Sequence, residues 1–294
     1  MNIKQNDTST TPPILYGTAW KEDDTKRLVL QALNSGFRGI DTANQRRHYF
    51  EEAVGDAIDQ FLTTSQKTRS DLFLQTKFTS VHGQDHRKPY DEFDSLTNQV
   101  KQSFASSLEH LQTDYIDAYI LHGPSLSHGI IDADLEIWQA MEELVCSRKV
   151  KFLGISNVNM AQVEELYRKV SIKPSFIQNR CFAITQWDQD VRTFSQKNKI
   201  IYQGFSLLTA NQRYLLNPHM QSLAVKYDKT IPQIIFRFAN QVGILPLTGT
   251  TNQQHMDNDL NIYDFELTQE EIQYIPEIFE NACIVQKMGS CYAA

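Results

Sequence analysis

The chain has 294 residues, 41% of them hydrophobic and 11% aromatic, with a formal charge of −7 and a pI near 5.6. That length and composition support a large buried core, and the acidic balance argues against a nucleic-acid or anionic-membrane surface, since both need clustered positive charge. Small metabolites are the expected partners.

The opening MNIKQNDTSTTPP holds neither an apolar signal core nor an Arg-rich amphipathic pattern, and no window approaches about eighteen continuous apolar residues. Residues 1–12 read as a loose polar tail ahead of a single domain over 13–294, in a protein that is neither secreted nor membrane-spanning. Cys146, Cys181, Cys283 and Cys291 have no paired short spacing and read as reduced thiols of a cytoplasmic protein.

In chain order, short apolar runs occur at ILYGTAW, FRGID, DLFLQTKF, DYIDAYILHG, VKFLGISN, SFIQN, KIIYQGFS and VGILPLTG. Segments with helical spacing separate most of them. Leu28, Val29, Ala32 and Leu33 form one stripe, and Gly36 stands where a left-handed helix cap is wanted. Ala53, Val54, Ala57, Ile58 and Phe61 follow the second run. Val100, Phe104, Leu108 and Leu111 precede the fourth, and Leu135, Trp138, Met141 and Val145 follow it. Near the end, LTQEEIQYI supplies Thr268 as N-cap with Glu271 three residues on, the pattern of a capping box.

Short apolar strands returned by helices pair in parallel. Eight such units predict an α/β fold, a closed (β/α)8 TIM barrel with its site at the C-terminal face of the strands. The rival open doubly wound sheet calls for a glycine-rich phosphate turn after a strand. The first strand runs instead into GTAWKEDD, and no G-x-G-x-x-G follows any strand.

Residues closing the runs should share one mouth: Trp20, Asp41, Lys77, His122, Ser156 with Asn157, Gln178 and Phe205. Taken singly, Asp41 is a turn-former or helix cap, His122 a satisfied buried histidine, and Ser156-Asn157 a turn. Lys77 differs, because a cation at the end of an apolar strand is costly to desolvate without an anion, and Asp41 is the obvious partner. The strand ends lack the clustered His and carboxylate ligands of a metal hydrolase, so no metal is expected.

The ordered set GTAW, GFRGIDTA, LQTK, LHGP, GISN, IQN and PLTGT resembles the aldo-keto reductase family over nearly the whole chain. The resemblance implies a barrel that holds NADPH across the strand ends and reduces a small-molecule aldehyde or ketone. It makes Asp41, Lys77 and His122 three of four catalytic residues. It puts Ser156, Asn157 and Gln178 on the nicotinamide carboxamide, and it stacks Phe205, where tyrosine is common, on the ring. Ser206, Leu208, Thr248, Gly249, Thr250, His255 and Asp259 complete the implied cofactor contacts. Trp20, Gly123, Trp187, the segment VHGQDHRKPYDEF and the tail MGSCYAA are candidate substrate walls, and the oligomeric state is expected to be monomer or weak dimer.

The fourth catalytic residue should be a tyrosine five positions after the aspartate, where this chain has Arg46. Arginine is charged at any ordinary pH and cannot donate the proton. Counting back from the helix that begins at Glu51, Tyr49 takes the place if QRRH is an insertion. In the alternative arrangement, Tyr49 packs over the helix start while Arg46 and Arg47 face water. A phenol of pKa about 10 is a weak acid near neutrality. A lysine ammonium about 4 Å away would favour its anion by roughly 4 kcal/mol at an effective dielectric of about 20, so Lys77 is expected to lower the pKa of Tyr49.

After the eighth run the family pattern has a lysine and an arginine on the adenosine 2′-phosphate, where Leu247 and His255 stand. Hydroxyls and N–H groups of Thr248, Gly249, Thr250 and Thr251 still offer a phosphate cradle at a helix start, against plain helix capping by Thr251 or Asn252. NADPH is therefore the expected cofactor, with NADH as a second option. The competing functions are a cofactor-binding regulatory or interaction protein with little turnover, and a different barrel enzyme such as a sugar-phosphate isomerase.

Overall fold

Eight parallel strands close on themselves in sequence order in the computed structural model, which describes residue 8 and residues 11–277. They are β1 (Leu15–Gly17), β2 (Gly39–Asp41), β3 (Phe73–Phe78), β4 (Ile116–Leu121), β5 (Val150–Ser156), β6 (Phe176–Arg180), β7 (Ile201–Phe205) and β8 (Ile244–Thr248). Each apolar run of the sequence forms its strand. Closure is made by β1 against β8, with Leu15 opposite Leu247 and Tyr16 opposite Thr248. Helices α1 (Thr25–Ser35), α2 (Glu51–Thr64), α3 (Leu96–His110), α4 (Asp132–Cys146), α5 (Met160–Lys169), α6 (Gln189–Lys197), α7 (Gln212–Leu215), α8 (Pro218–Tyr227), α9 (Ile231–Gln241) and α10 (Gln253–Leu260) follow the strands.

Two apolar layers result from strand alternation. Outward residues such as Leu74, Phe78, Tyr119 and Leu153 meet the buried stripes of the helices, including Leu28, Val54, Phe104 and Trp138. Inward residues Leu15, Phe73, Phe152 and Phe176 fill the lumen. Phe73 meets Phe176 edge-on at 5.7 Å, and Phe152 does the same. Moving up the inward face, polarity rises by pairs of residues, from Phe73 to Gln75 to Lys77 and from Phe176 to Gln178 to Arg180. The apolar floor fixes the strands, and the residues two and four positions on are thereby aimed at the mouth.

Local signals hold as well. Gly36 caps α1 at φ 123, its N–H reaching the carbonyls of Ala32 and Leu33. Gly55 lets α2 sit against the end of α3, since a Cβ there would come within 2.0 Å of the His110 carbonyl. The Thr268 capping box forms, with Thr268 N–H donating to Glu271 Oε2 at 2.8 Å and Glu271 N–H to Thr268 Oγ1 at 3.3 Å. Among the described residues no helix is long and apolar enough to cross a membrane. Cys283, Cys291 and the segment MGSCYAA lie outside the described residues.

Candidate active site

Asp41 ends β2 and Lys77 lies near the end of β3, both almost fully buried. Lys77 Nζ donates to Asp41 Oδ1 at 2.7 Å, to Oδ2 at 2.8 Å and to the Thr42 carbonyl at 2.8 Å, so all three of its protons have acceptors. Burial lowers the Lys77 pKa, and the Asp41 carboxylate opposes that shift. Beneath the pair, Gln75 and Gln178 donate to Asp41 Oδ1 at 2.6 and 3.0 Å, and both also donate to Gln203 Oε1 at 2.9 Å. A layer of three amides thus orients the carboxylate from below.

The connection from Asp41 to α2 is anchored by its own amides. Asn44 Nδ2 donates to the Ser103 carbonyl on α3 at 2.9 Å, and Gln45 Nε2 to the Gly83 carbonyl at 2.6 Å. The Gln45 carbonyl then accepts the N–H groups of His48 at 3.1 Å and Tyr49 at 3.0 Å. QRRH is therefore a reverse turn, looped out of the path from strand to helix. Its two central arginines leave the mouth, Arg46 lying 3.9 Å over the Phe50 ring and Arg47 facing solvent. Tyr49 returns with its ring edge-on to His122 at 6.0 Å and 5.2 Å from Lys77 Nζ.

The acidity of Tyr49 runs opposite to the sequence expectation. Burial raises its pKa above the ordinary phenol value, and the Asp41 carboxylate raises it further. The Lys77 ammonium is compensated by Asp41 at 2.7 Å, so its field does not outweigh desolvation. The phenol is held protonated. His122 accepts or donates at Nδ1 with Thr79 Oγ1, 2.6 Å away, leaving Nε2 for the mouth. Burial first, then the charges of Lys77 and His48, pull the His122 pKa down to about 3, so the imidazole is neutral in ordinary buffers.

The mouth opens into a cavity of about 820 Å³ lined by Tyr49 and His122 at one end and by Thr248 to Thr250, His255 and Asp259 at the other. Its volume falls in the range of ligand pockets, roughly 300–1,000 Å³. His48, which the sequence reading places only in the QRRH insertion, lines it and packs at a tilt of 39° against Trp20, with ring centroids 3.9 Å apart. Trp20 itself is 70% exposed on the rim and holds φ 61.

The Aldo/keto reductase family profile matches residues 13–280. This chain belongs to the aldo/keto reductase family. It is 28% identical to Aldo-keto reductase AKR2E4 of Bombyx mori, over 96% of this chain and 94% of the relative. It is 30% identical to the Glyoxal reductase of Bacillus subtilis (strain 168), over 84% and 80% of the two chains. Among solved structures, it resembles MGS-M4, an aldo-keto reductase enzyme from a Medee basin deep-sea metagenome library, with a TM-score of 0.78 and 28% identity, covering 92% of each chain. The Bombyx mori enzyme, solved in complex with NADP, superposes with a TM-score of 0.76 at 26% identity, over 91% and 89% of the chains.

In this aldo/keto reductase the residues assigned to the cofactor nearly all line the one cavity: Ser156, Asn157, Gln178, Phe205, Ser206, Leu208, Thr248, Gly249, Thr250, His255 and Asp259. Ser156 Oγ is spent on the Gln178 carbonyl at 2.7 Å, and Asn157 Nδ2 on the His122 carbonyl at 2.7 Å. With Gln178 Nε2 also engaged below, the amide oxygens of Asn157 and Gln178 are the groups left to accept from a carboxamide. Asn252, not a threonine, caps α10 by accepting the His255 N–H at 3.2 Å. Thr248 to Thr250 remain in the wall. A cation the sequence reading missed reaches this end from β1: Lys21 Nζ donates to the Gly249 carbonyl at 2.6 Å, and burial pulls its pKa down to about 8. The wall fits an extended dinucleotide, with amide acceptors at one end and hydroxyls and N–H groups at the other, and the Lys21 ammonium backs the second end through the Gly249 carbonyl.

One assignment to the substrate wall is corrected. Trp187 is fully buried against Phe238 of α9, ring centroids 5.2 Å apart, and does not line the cavity. Gly123 follows His122 of the cavity wall, and a Cβ there would meet Asn157 Cβ and the Ser156 carbonyl, both of lining residues, at 3.6 Å.

Asp259 gives a pH prediction. It is 4% exposed, accepts from Thr248 Oγ1 at 2.6 Å, and is pushed by burial up to about 7, against about 3.9 in an unfolded chain. The folded state holds this proton more tightly, so between those values stability falls as pH rises. Asp259→Asn removes the titration. Its melting temperature relative to wild type should improve from about pH 5 to about pH 8, and a pH-independent difference would contradict this account of the residue.

Proposed function

We propose that this aldo/keto reductase reduces an aldehyde or ketone to an alcohol with NADPH, using Tyr49 as the proton donor. The observation that carries the reading is the return of Tyr49 to the Lys77–His122 corner after the extra turn. Bound NADPH supplies a hydride to the carbonyl carbon but no proton to its oxygen. Tyr49, kept un-ionised by burial, holds that proton at its hydroxyl. Neutral His122, fixed through Nδ1 by Thr79, donates from Nε2 to orient the carbonyl oxygen. The Lys77 ammonium stands beside the ring to stabilise the phenolate once the proton has left, and Asp41 holds Lys77 in place.

The NADP complex of the Bombyx mori relative and the glyoxal reductase of Bacillus subtilis support NADPH and a small carbonyl substrate. The replacement of the family's phosphate-binding cations by Leu247 and His255 leaves NADH as a second option. In this reading the protein is cytoplasmic, monomeric or weakly dimeric, and has no nucleic-acid or membrane partner, as its acidic composition suggests.

The test mixes the protein with NADPH or NADH and a panel of aromatic aldehydes and diketones, following cofactor absorbance. Carbonyl-dependent loss is the expected result, and tight cofactor binding without turnover would favour a regulatory binding protein. Arg46→Ala is the control for the turn. Its guanidinium faces Phe50 rather than the mouth, so kcat/KM should stay within about threefold of wild type, as for most surface changes. A larger loss would place Arg46 in the reaction.

A further inference from the structure

The charge in the cavity wall is unevenly compensated. Asp41 is paired with Lys77, His122 is neutral, and Asp259 is bonded to Thr248. Arg180 also lines the cavity, at the end of β6. Gln178 points into the lumen toward Asp41 and Gln203, so Arg180, two residues on, lies on the same face and nearer the mouth. It stands opposite Phe205 in the β6–β7 register, with its guanidinium carbon 5.7 Å from the centre of that ring. Among the described residues no carboxylate pairs with this guanidinium. A permanent cation is therefore held by an aromatic ring at the mouth of a protein whose formal charge is −7.

We propose that Arg180 is a specificity-determining residue that selects carbonyl substrates bearing a carboxylate, such as oxo-acids and carboxy-aldehydes. The planar fork of the guanidinium matches a carboxylate in two parallel hydrogen bonds, while the carbonyl lies at Tyr49 and His122. The other oxyanion within the same chemistry is a cofactor phosphate. The hydroxyls and N–H groups suited to phosphate gather after β8, with the buried Lys21 ammonium behind them on the Gly249 carbonyl and β7 between them and Arg180. That separation favours the substrate as the source of the anion. The inference rests on the reductase reading, so its test includes an arm without turnover.

The experiment compares kcat/KM for glyoxylate, succinic semialdehyde and 4-carboxybenzaldehyde with their methyl esters, in wild type and Arg180→Met. It also measures NADPH affinity, and calorimetric binding of benzoate against benzamide. Wild type should favour at least one acid over its ester by about tenfold or more, chiefly through KM, the scale of a charge-assisted pair. Arg180→Met should erase that preference, leave the esters and NADPH affinity unchanged, and bind benzoate no better than benzamide. Equal use of acids and esters by wild type, or equal losses on both in the variant, would overturn the proposal. A weaker NADPH affinity with the acid preference retained would reassign the guanidinium to the cofactor. If wild type reduces no carbonyl at all, the reductase reading fails separately, and the benzoate arm alone decides Arg180: no advantage of benzoate over benzamide in wild type rejects it.

Discussion

Tyr49→Phe should lower kcat/KM by about three orders of magnitude while cofactor affinity stays within about twofold, since a positioned general acid contributes roughly 10²–10⁴. The size follows from the absence of a substitute. His122, with its pKa near 3, carries no ionisable proton to spare near neutrality. The Lys77 protons are committed to Asp41 and the Thr42 carbonyl. The ring of Phe fills the same space, so the wall beside His122 is kept and only the hydroxyl is lost. Steady-state rates with a fixed aldehyde, alongside cofactor fluorescence titration, separate the two effects. A variant with near-normal turnover would remove Tyr49 from the chemistry.

Asp41→Ala should be the most destabilising change in the site. It strands a buried ammonium and takes an acceptor from Gln75 and Gln178 at once. Breaking a buried ion pair from one side costs about 3–5 kcal/mol, which corresponds to a melting temperature lower by about 10 °C in a domain of this size. Turnover should fall too, because Lys77 loses the partner that keeps it charged and aimed. Lys77→Met added to Asp41→Ala removes the stranded charge, so the double variant should melt above the single one. Additive losses would mean that the pair is not coupled as its 2.7 Å contact implies.

The barrel is legible because every strand announces itself as an apolar run, and five of them again as a polar residue at the end: Asp41, Lys77, His122, Ser156 with Asn157, and Gln178. Asp41, Lys77, His122 and Gln178 could be found by reading strand ends alone, since alternation on a closed sheet aims them at one mouth. Tyr49 could be found only by counting back from α2. The reason QRRH loops out is remote: Gln45 is tied to Gly83, and Asn44 to α3. Those contacts also swing His48 onto Trp20, a placement that local sequence does not encode. Lys21 was hidden in the same way, because its contact with Gly249 exists only once β1 closes against β8.

Trp187 shows the opposite failure. An aromatic in a loop above the barrel reads as a pocket wall, yet its burial is decided by Phe238, fifty-one positions later and on a different element. The acidity of Tyr49 departs from the sequence expectation for an electrostatic reason. Attraction to Lys77 is legible in the sequence, whereas burial and the nearby Asp41 carboxylate set the net direction. Identity of the neighbours was readable from sequence; the degree of their desolvation was not.

The assignment of the proton to Tyr49, three positions beyond the usual place, is tested most directly by a rescue experiment. Tyr49→Phe and the double variant Tyr49→Phe/Arg46→Tyr are assayed side by side for kcat/KM on one aldehyde. Residue 46 faces Phe50 across the looped-out turn, so a phenol there should restore nothing, and the two variants should be equally impaired. Recovery of activity in the double variant would show that position 46 reaches the carbonyl and would contradict the assignment.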